Sequence, residues 1–204
     1  MNKSLRVCVV FIASFASVIT AFAYNISGTT LAALPSQFAY NPYAGLTTYT
    51  LSCSRTRHIV SNGKDPSTCK YTSTGTIENV VWSVTTSVSL PNWTNKSSAT
   101  QNAQNEWDRF MVAASVHENG HVSIANSFIT VADNVYTPQL TSLNITGIGD
   151  TQDAADADAS SQLISEANAV NADAIDNLDD LQDEYDDDNN HGASQGAVLD
   201  TSIN

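Results

Sequence analysis

The stretch 106–136 constrains the fold most, because it joins a helical hydrophobic pattern to two histidines one turn apart. Trp107, Phe110, Met111, Ala114, His121, Ile124, Ala125, Phe128, Val131 and Val135 recur at intervals of three, four or seven, the mark of one face of a 3.6-residue helix. That face predicts burial. Within it stands His117-Glu118-Asn119-Gly120-His121, and helical residues four apart have Cβ atoms about 5–6 Å from each other. Two imidazoles therefore converge on one buried point.

Convergent neutral imidazoles are what a zinc ion needs, at about 2.0–2.1 Å from the metal. The intervening glutamate is placed to act on water there. The spacing predicts His117 and His121 as metal ligands and Glu118 as general base; the alternative is a pair of hydrogen-bonded core histidines. Gly120 inside a helix costs roughly 1 kcal/mol relative to Ala, which predicts a close approach by other backbone or by substrate at that turn.

The N-terminus has the form of an export signal. Lys3 and Arg6 precede an apolar run, Val7 to Thr20, and Ala21-Phe22-Ala23 fits a small-x-small cleavage site. The run is shorter than the ~20 residues that span a bilayer. Residues 1–23 are therefore expected to be removed, leaving an exported, periplasmic or extracellular protein with no membrane segment in its mature form. Cys8 would be lost with the signal. Cys53 and Cys69 remain, and an even count in an exported chain predicts one disulfide, with two free thiols as the alternative.

Losing Lys3 and Arg6 leaves six basic residues against 21 acidic ones, a net charge of −15. So acidic a surface excludes nucleic acid and anionic membrane as partners, since neutralising phosphates takes clustered Lys and Arg.

Residues 24–95 read as mainly β. A short strand at 24–28 and a brief helix at 29–37 lead to an Asn41-Pro42 turn, and Thr47 to Cys53 alternates as a half-buried strand. Segments 57–60 and 69–72 flank the turn-rich Ser61 to Pro66 and predict a hairpin. Val80, Trp82, Val84, Thr86, Val88 and Leu90 form one face of the clearest strand, which Pro91 should end. The expected sheet is mostly antiparallel.

Residues 100–190 read as mainly α. After a loop at 137–150, a second helical pattern runs from 151 to 185 through Leu163, Ile164, Ala167, Val170, Ala174, Leu178, Leu181 and Tyr185. It should pack antiparallel on the first. Its many aspartates read as a solvated face; no glycine-containing loop supports calcium. The tail to Asn204 has few apolar residues to hold it.

A catalytic zinc site takes a third protein ligand and keeps one position open. His58 reads as a surface residue of the hairpin. His191 lies just beyond the second helix, where an antiparallel partner would return it to the middle of the first, so it is the expected third ligand; a surface histidine is the alternative. Tyr185 reads either as an oxyanion donor or as an aromatic closing the core, and Asp186 either as a carboxylate orienting a ligand imidazole or as one more solvated acid.

These residues together, Trp107 to Ile124 with the His117-Glu118-x-Gly120-His121 core, Glu184-Tyr185-Asp186 and His191-Gly192-Ala193-Ser194-Gln195-Gly196-Ala197, resemble the predicted secreted zinc-dependent proteases, a bacterial family catalogued as a domain of unknown function. The likeness extends to Gly28–Leu34 and Leu90-Pro91-x-Trp93. It implies a single zincin-like domain over 24–204 and one Zn2+. Asn189 departs from the threonine expected in the Tyr-Asp-x-x-Thr-x-His-Gly pattern.

The expected fold is thus α+β, an N-terminal antiparallel sheet followed by two long antiparallel helices. The expected activity is zinc-dependent hydrolysis of a peptide or protein substrate, with Glu118 as general base. The rival readings are a non-enzymatic exported interaction module with a structural metal, and a zinc amidase acting on cell-wall peptide.

Overall fold

A computed structural model describes residues 19–40 and 42–204. The expected signal segment up to residue 18, with Lys3, Arg6 and Cys8, lies outside the described residues, as does Asn41. The protein is α+β. Four strands, β1 (Ile19–Ile26), β2 (Leu46–Lys64), β3 (Tyr71–Trp93) and β4 (Asn144–Gly149), form one sheet. Helices α1 (Gln101–Val131), α2 (Thr137–Thr141) and α3 (Gln152–Asn189) pack against it.

The sheet is mixed: its β2 and β4 pairings are antiparallel, in line with the mostly antiparallel expectation, and its β1 pairing is parallel. β3 pairs along its length with antiparallel β2; its other side meets antiparallel β4 at Tyr71–Thr76 and parallel β1 at Thr86–Trp93. The expected loop at 137–150 contains α2 and β4, two elements too short to show a period. Segments 47–53 and 57–60 are one strand, and its hairpin closes with Lys64 opposite Tyr71. Pro91 does not end β3. It lies beyond Ser89, the last residue facing β2, so its missing N–H removes no bond on that side.

A bulge sets which β3 side chains face inward. Ser73, Gly75 and Ile77 are buried, then Trp82, Val84, Thr86 and Val88, a switch from odd to even positions. It occurs where the register slips between Ser54 and Thr56 and Asn79 takes φ 53°. One extra residue turns the side chains from Trp82 to Val88 over.

The expected Cys53–Cys69 disulfide does not exist; both thiols are free. Cys53 faces Trp82, whereas Cys69 lies past the end of the hairpin at Lys64. Eleven strand residues at about 3.3 Å each put them on the order of 30 Å apart, and a disulfide needs Cα atoms within ~7 Å.

α1 starts where the Thr100 side chain accepts the Ala103 N–H. It runs into a π-helical turn, Ala132–Tyr136. That wider turn shifts the phase by one residue, so Tyr136 is buried and Val135 exposed, against the expectation for Val135. α3 lies antiparallel to α1: Asp173 and Asn177 bond Tyr136, Gln182 bonds His121, and Asp186 reaches both His117 and His121. Of its expected core residues, Leu163, Ala167, Ala174 and Leu178 are buried; Ile164 is exposed.

Two apolar clusters result. One joins Leu51, Ile77, Trp82, Phe128, Leu140, Leu163 and Leu178; the other joins Ile26, Leu31, Leu34, Phe38, Trp93, Trp107 and Phe110. The histidine pair sits on α1 between them. The tail is not loose: Arg109 donates to the carbonyls of Gly196 and Val198, and Glu106 accepts the Asp200 N–H. The expected cleavage point after Ala23 falls inside β1, where Phe22 is exposed and Ile26 buried. Among the described residues no helix is long and apolar enough to cross a membrane.

Candidate metal centre

His117, Glu118 and His121 project from the buried side of α1 and are at most 9% exposed. The Nε2 atoms of His117 and His121 stand 3.3 Å apart with their rings at 82°. Asp186 Oδ1, from the last turns of α3, lies 3.1 Å from each. Two ligands about 2.05 Å from a tetrahedral zinc ion stand about 3.3 Å apart. The three donor atoms therefore already mark one face of such a tetrahedron, and the residues fit the metal.

Asp186, expected to orient an imidazole, thus occupies the third-donor position. His191, expected there, is displaced outward. Its Nδ1 is 3.5 Å from Asp186 Oδ2, and its ring, 40% exposed, packs 4.6 Å from Tyr43. The reason is local: α3 continues to Asn189, and Asn190 and His191 both take left-handed φ of 48°, so the chain turns off the helix axis before His191.

Hydrogen bonds set the tautomer of His121. Gln182, 4% exposed, donates Nε2–H to the His121 carbonyl at 3.2 Å, which leaves its Oε1 to accept from His121 Nδ1–H at 2.6 Å. A carbonyl only accepts, so the amide orientation follows and Nε2 of His121 carries a lone pair. On the other ring, His117 Nδ1 and Gln195 Oε1 are both buried without a partner. Burial pushes the His117 pKa down, as does neighbouring His121, against the pull of Asp186. The ring is neutral at pH 7 and able to ligate.

Glu118 is wedged against the start of β2. Thr47 Oγ1 lies 2.7 Å from its Oε2 and 3.1 Å from its backbone oxygen. A Cβ at Gly45 would fall 2.2 Å from Oε1. Burial raises the Glu118 pKa above the usual carboxylate range, partly offset by Thr47, a direction that favours proton uptake.

Gly120 has the close neighbour its helical position implied, though a side chain: a Cβ there would lie 1.9 Å from the Tyr185 hydroxyl oxygen. Tyr185 stacks on His117 at 5.3 Å and stands edge-on to His121 at 4.9 Å. Its hydroxyl donates to the His117 carbonyl at 3.3 Å and accepts from Gln195 Nε2 at 3.0 Å. Tyr185 does not line the cavity beside the site, so it packs beneath the histidines and is not placed as an oxyanion donor. Asn189 donates to the Tyr185 carbonyl at 2.8 Å, so the residue departing from the expected threonine bonds its own helix.

That cavity, about 500 Å³, opens against His117, Glu118, His121, Asp186 and His191. His58 is exposed on β2 opposite Thr76, far from it. Gln182 was not among the sequence candidates; an amide on an otherwise apolar helical stripe is the signal that could have found it.

The arrangement defines an α+β protein with a buried His-x-x-x-His pair and an aspartate whose donor atoms could hold a metal at the wall of a cavity. Residues 23–137 match the family described as "Bacterial protein of unknown function (DUF922)", and the chain belongs to that family. The matched span holds His117, Glu118 and His121 and ends before Asp186. Neither the curated proteins nor the solved structures contain a match to this chain.

Proposed function

We propose that this protein is an exported zinc-dependent peptidase. One observation carries the reading: three donor atoms, His117 Nε2, His121 Nε2 and Asp186 Oδ1, meet within 3.3 Å of one another beside Glu118 at the wall of a cavity. His117, His121 and Asp186 would hold the ion. Zinc bound there would supply Lewis acidity and lower the pKa of water at its open position toward ~7.

The chain's own groups do the rest. Glu118, with Oε2 engaged by Thr47, takes the proton of the attacking water at Oε1 and passes it to the leaving amine. Gln182 keeps His121 in the ligating tautomer. His191 faces the cavity beside Tyr43 and contacts the substrate instead of the metal. β2 is an edge strand of the described sheet, with β3 on its one paired side, so Leu46 to Tyr49 offer free backbone groups along the cavity to an extended peptide.

The test is zinc analysis of the purified mature protein beside Glu118→Gln. About one zinc per chain is expected in both, with peptide hydrolysis only in the wild type. Protein that takes up no zinc even on titration sinks the reading.

A further inference from the structure

We infer that the cavity selects substrate by a large apolar side chain seated beside the three donor atoms, and rejects acidic ones. This rests on the peptidase reading for its substrate class. Phe110, Ala114, His117 and His121 follow one another at three- and four-residue steps along α1 and, with Glu118, form one wall of the cavity. Phe110 lies about 10 Å from His117 along the helix axis, at 1.5 Å per residue.

The Phe110 end is apolar. Phe38 stacks on Phe110 at 5.9 Å with rings 9° from parallel, and Ala197 and Leu199 close it from the tail. Ala114, between Phe110 and His117, has the smallest side chain there and leaves the space that a substrate side chain would take. The pocket is held in advance. Arg109 grips the carbonyls of Gly196 and Val198, and its bidentate bond to Glu106 anchors it to α1, so the tail needs no ordering when a ligand enters.

The opposite end carries only negative formal charge. Beside the metal group Asp183 lines it, Tyr49 donates to Asp179 at 2.7 Å, and among the described residues no Lys or Arg lines the cavity. Burial and the hydrogen bond to Asp179 push the Tyr49 hydroxyl far up, and Asp183 adds to the shift. Away from the metal position, a substrate side-chain carboxylate would meet Asp179 and Asp183 with no Lys or Arg of the described lining to pair it. Bonds beside apolar residues are the ones the cavity accepts.

The experiment measures binding, so it does not depend on turnover. Zinc-loaded Glu118→Gln protein is titrated calorimetrically with end-capped alanine pentapeptides carrying Phe, Leu, Ala or Asp at the centre. Phe and Leu peptides are expected to bind at least about tenfold tighter than Ala, with Asp weakest, as for side chains that differ by whole methylenes in an apolar pocket. Ala114→Leu in the same background should erase most of that preference while zinc is retained. Leu199→Ala, which opens the pocket, should weaken Phe binding and serves if Ala114→Leu does not fold. Equal affinity for all four peptides, or no binding of any, overturns the inference. A wild type that prefers Phe in binding yet cleaves no peptide would instead defeat the peptidase reading alone.

Discussion

Gln182 and His121, 61 positions apart, exchange two hydrogen bonds across α1 and α3, at 2.6 and 3.2 Å. The pair locks one imidazole of the metal centre and ties the two long helices together at the level of the site. Structure and chemistry are supported by the same contact.

Gln182→Leu keeps the volume and removes both bonds. Zinc affinity, measured by competition with a chelator, should fall about 10–100-fold, the usual cost of losing a group that orients a ligand histidine. Unchanged affinity would mean that packing alone orients the ring.

Asp186→Ala and His191→Ala discriminate between the two candidates for the third donor. Asp186→Ala should reduce zinc affinity at least about 100-fold, whereas His191→Ala should leave it within about tenfold while impairing turnover. The reverse ranking would return His191 to the ligand set.

Gly120→Ala should destabilise the fold, although alanine is the better helix former by about 1 kcal/mol. Its Cβ would overlap the Tyr185 hydroxyl, and overpacking of this kind costs ~1–3 kcal/mol. Urea unfolding gives the sign: a stabilised variant would show that Tyr185 moves aside freely.

Glu106 supplies a pH test away from the metal. Bidentate bonding from Arg109, at 2.7 and 2.6 Å, and the Asp200 N–H hold its carboxyl below the usual carboxylate range. The folded pKa lies below the unfolded one, so the stabilisation is fully present above the ordinary Glu pKa near 4.3 and fades as pH falls through the folded value. Glu106→Gln should therefore unfold about 1–2 kcal/mol more easily than wild type at pH 7, with the gap closing below about pH 4. A constant gap across that range would exclude an ionic contribution.

Much of the architecture was legible in the residues. The heptad-like spacing of Trp107, Phe110, Ala114, Ala125 and Phe128 located α1, and the even-numbered run from Trp82 to Val88 located β3, because in both a single period persists long enough to outweigh local exceptions. Where the period breaks, reading failed. The π turn at Ala132–Tyr136 moved burial from Val135 to Tyr136, and the bulge near Asn79 reversed the faces of β3. The cysteines misled for another reason: an even count says nothing about distance, and a 19-residue β2 carries them apart.

By itself the sequence determined the His117 and His121 pair with Glu118, since residues four apart on a helix must share a face whatever packs around them. Only the tertiary structure placed Asp186, and not His191, beside the pair. Asp186 and His191 are five residues apart near the end of α3, and which of them reaches the pair depends on how far the helix runs and on the left-handed turn at Asn190 and His191. That is a matter of how two helices are set against one sheet, and local periodicity carries no record of it.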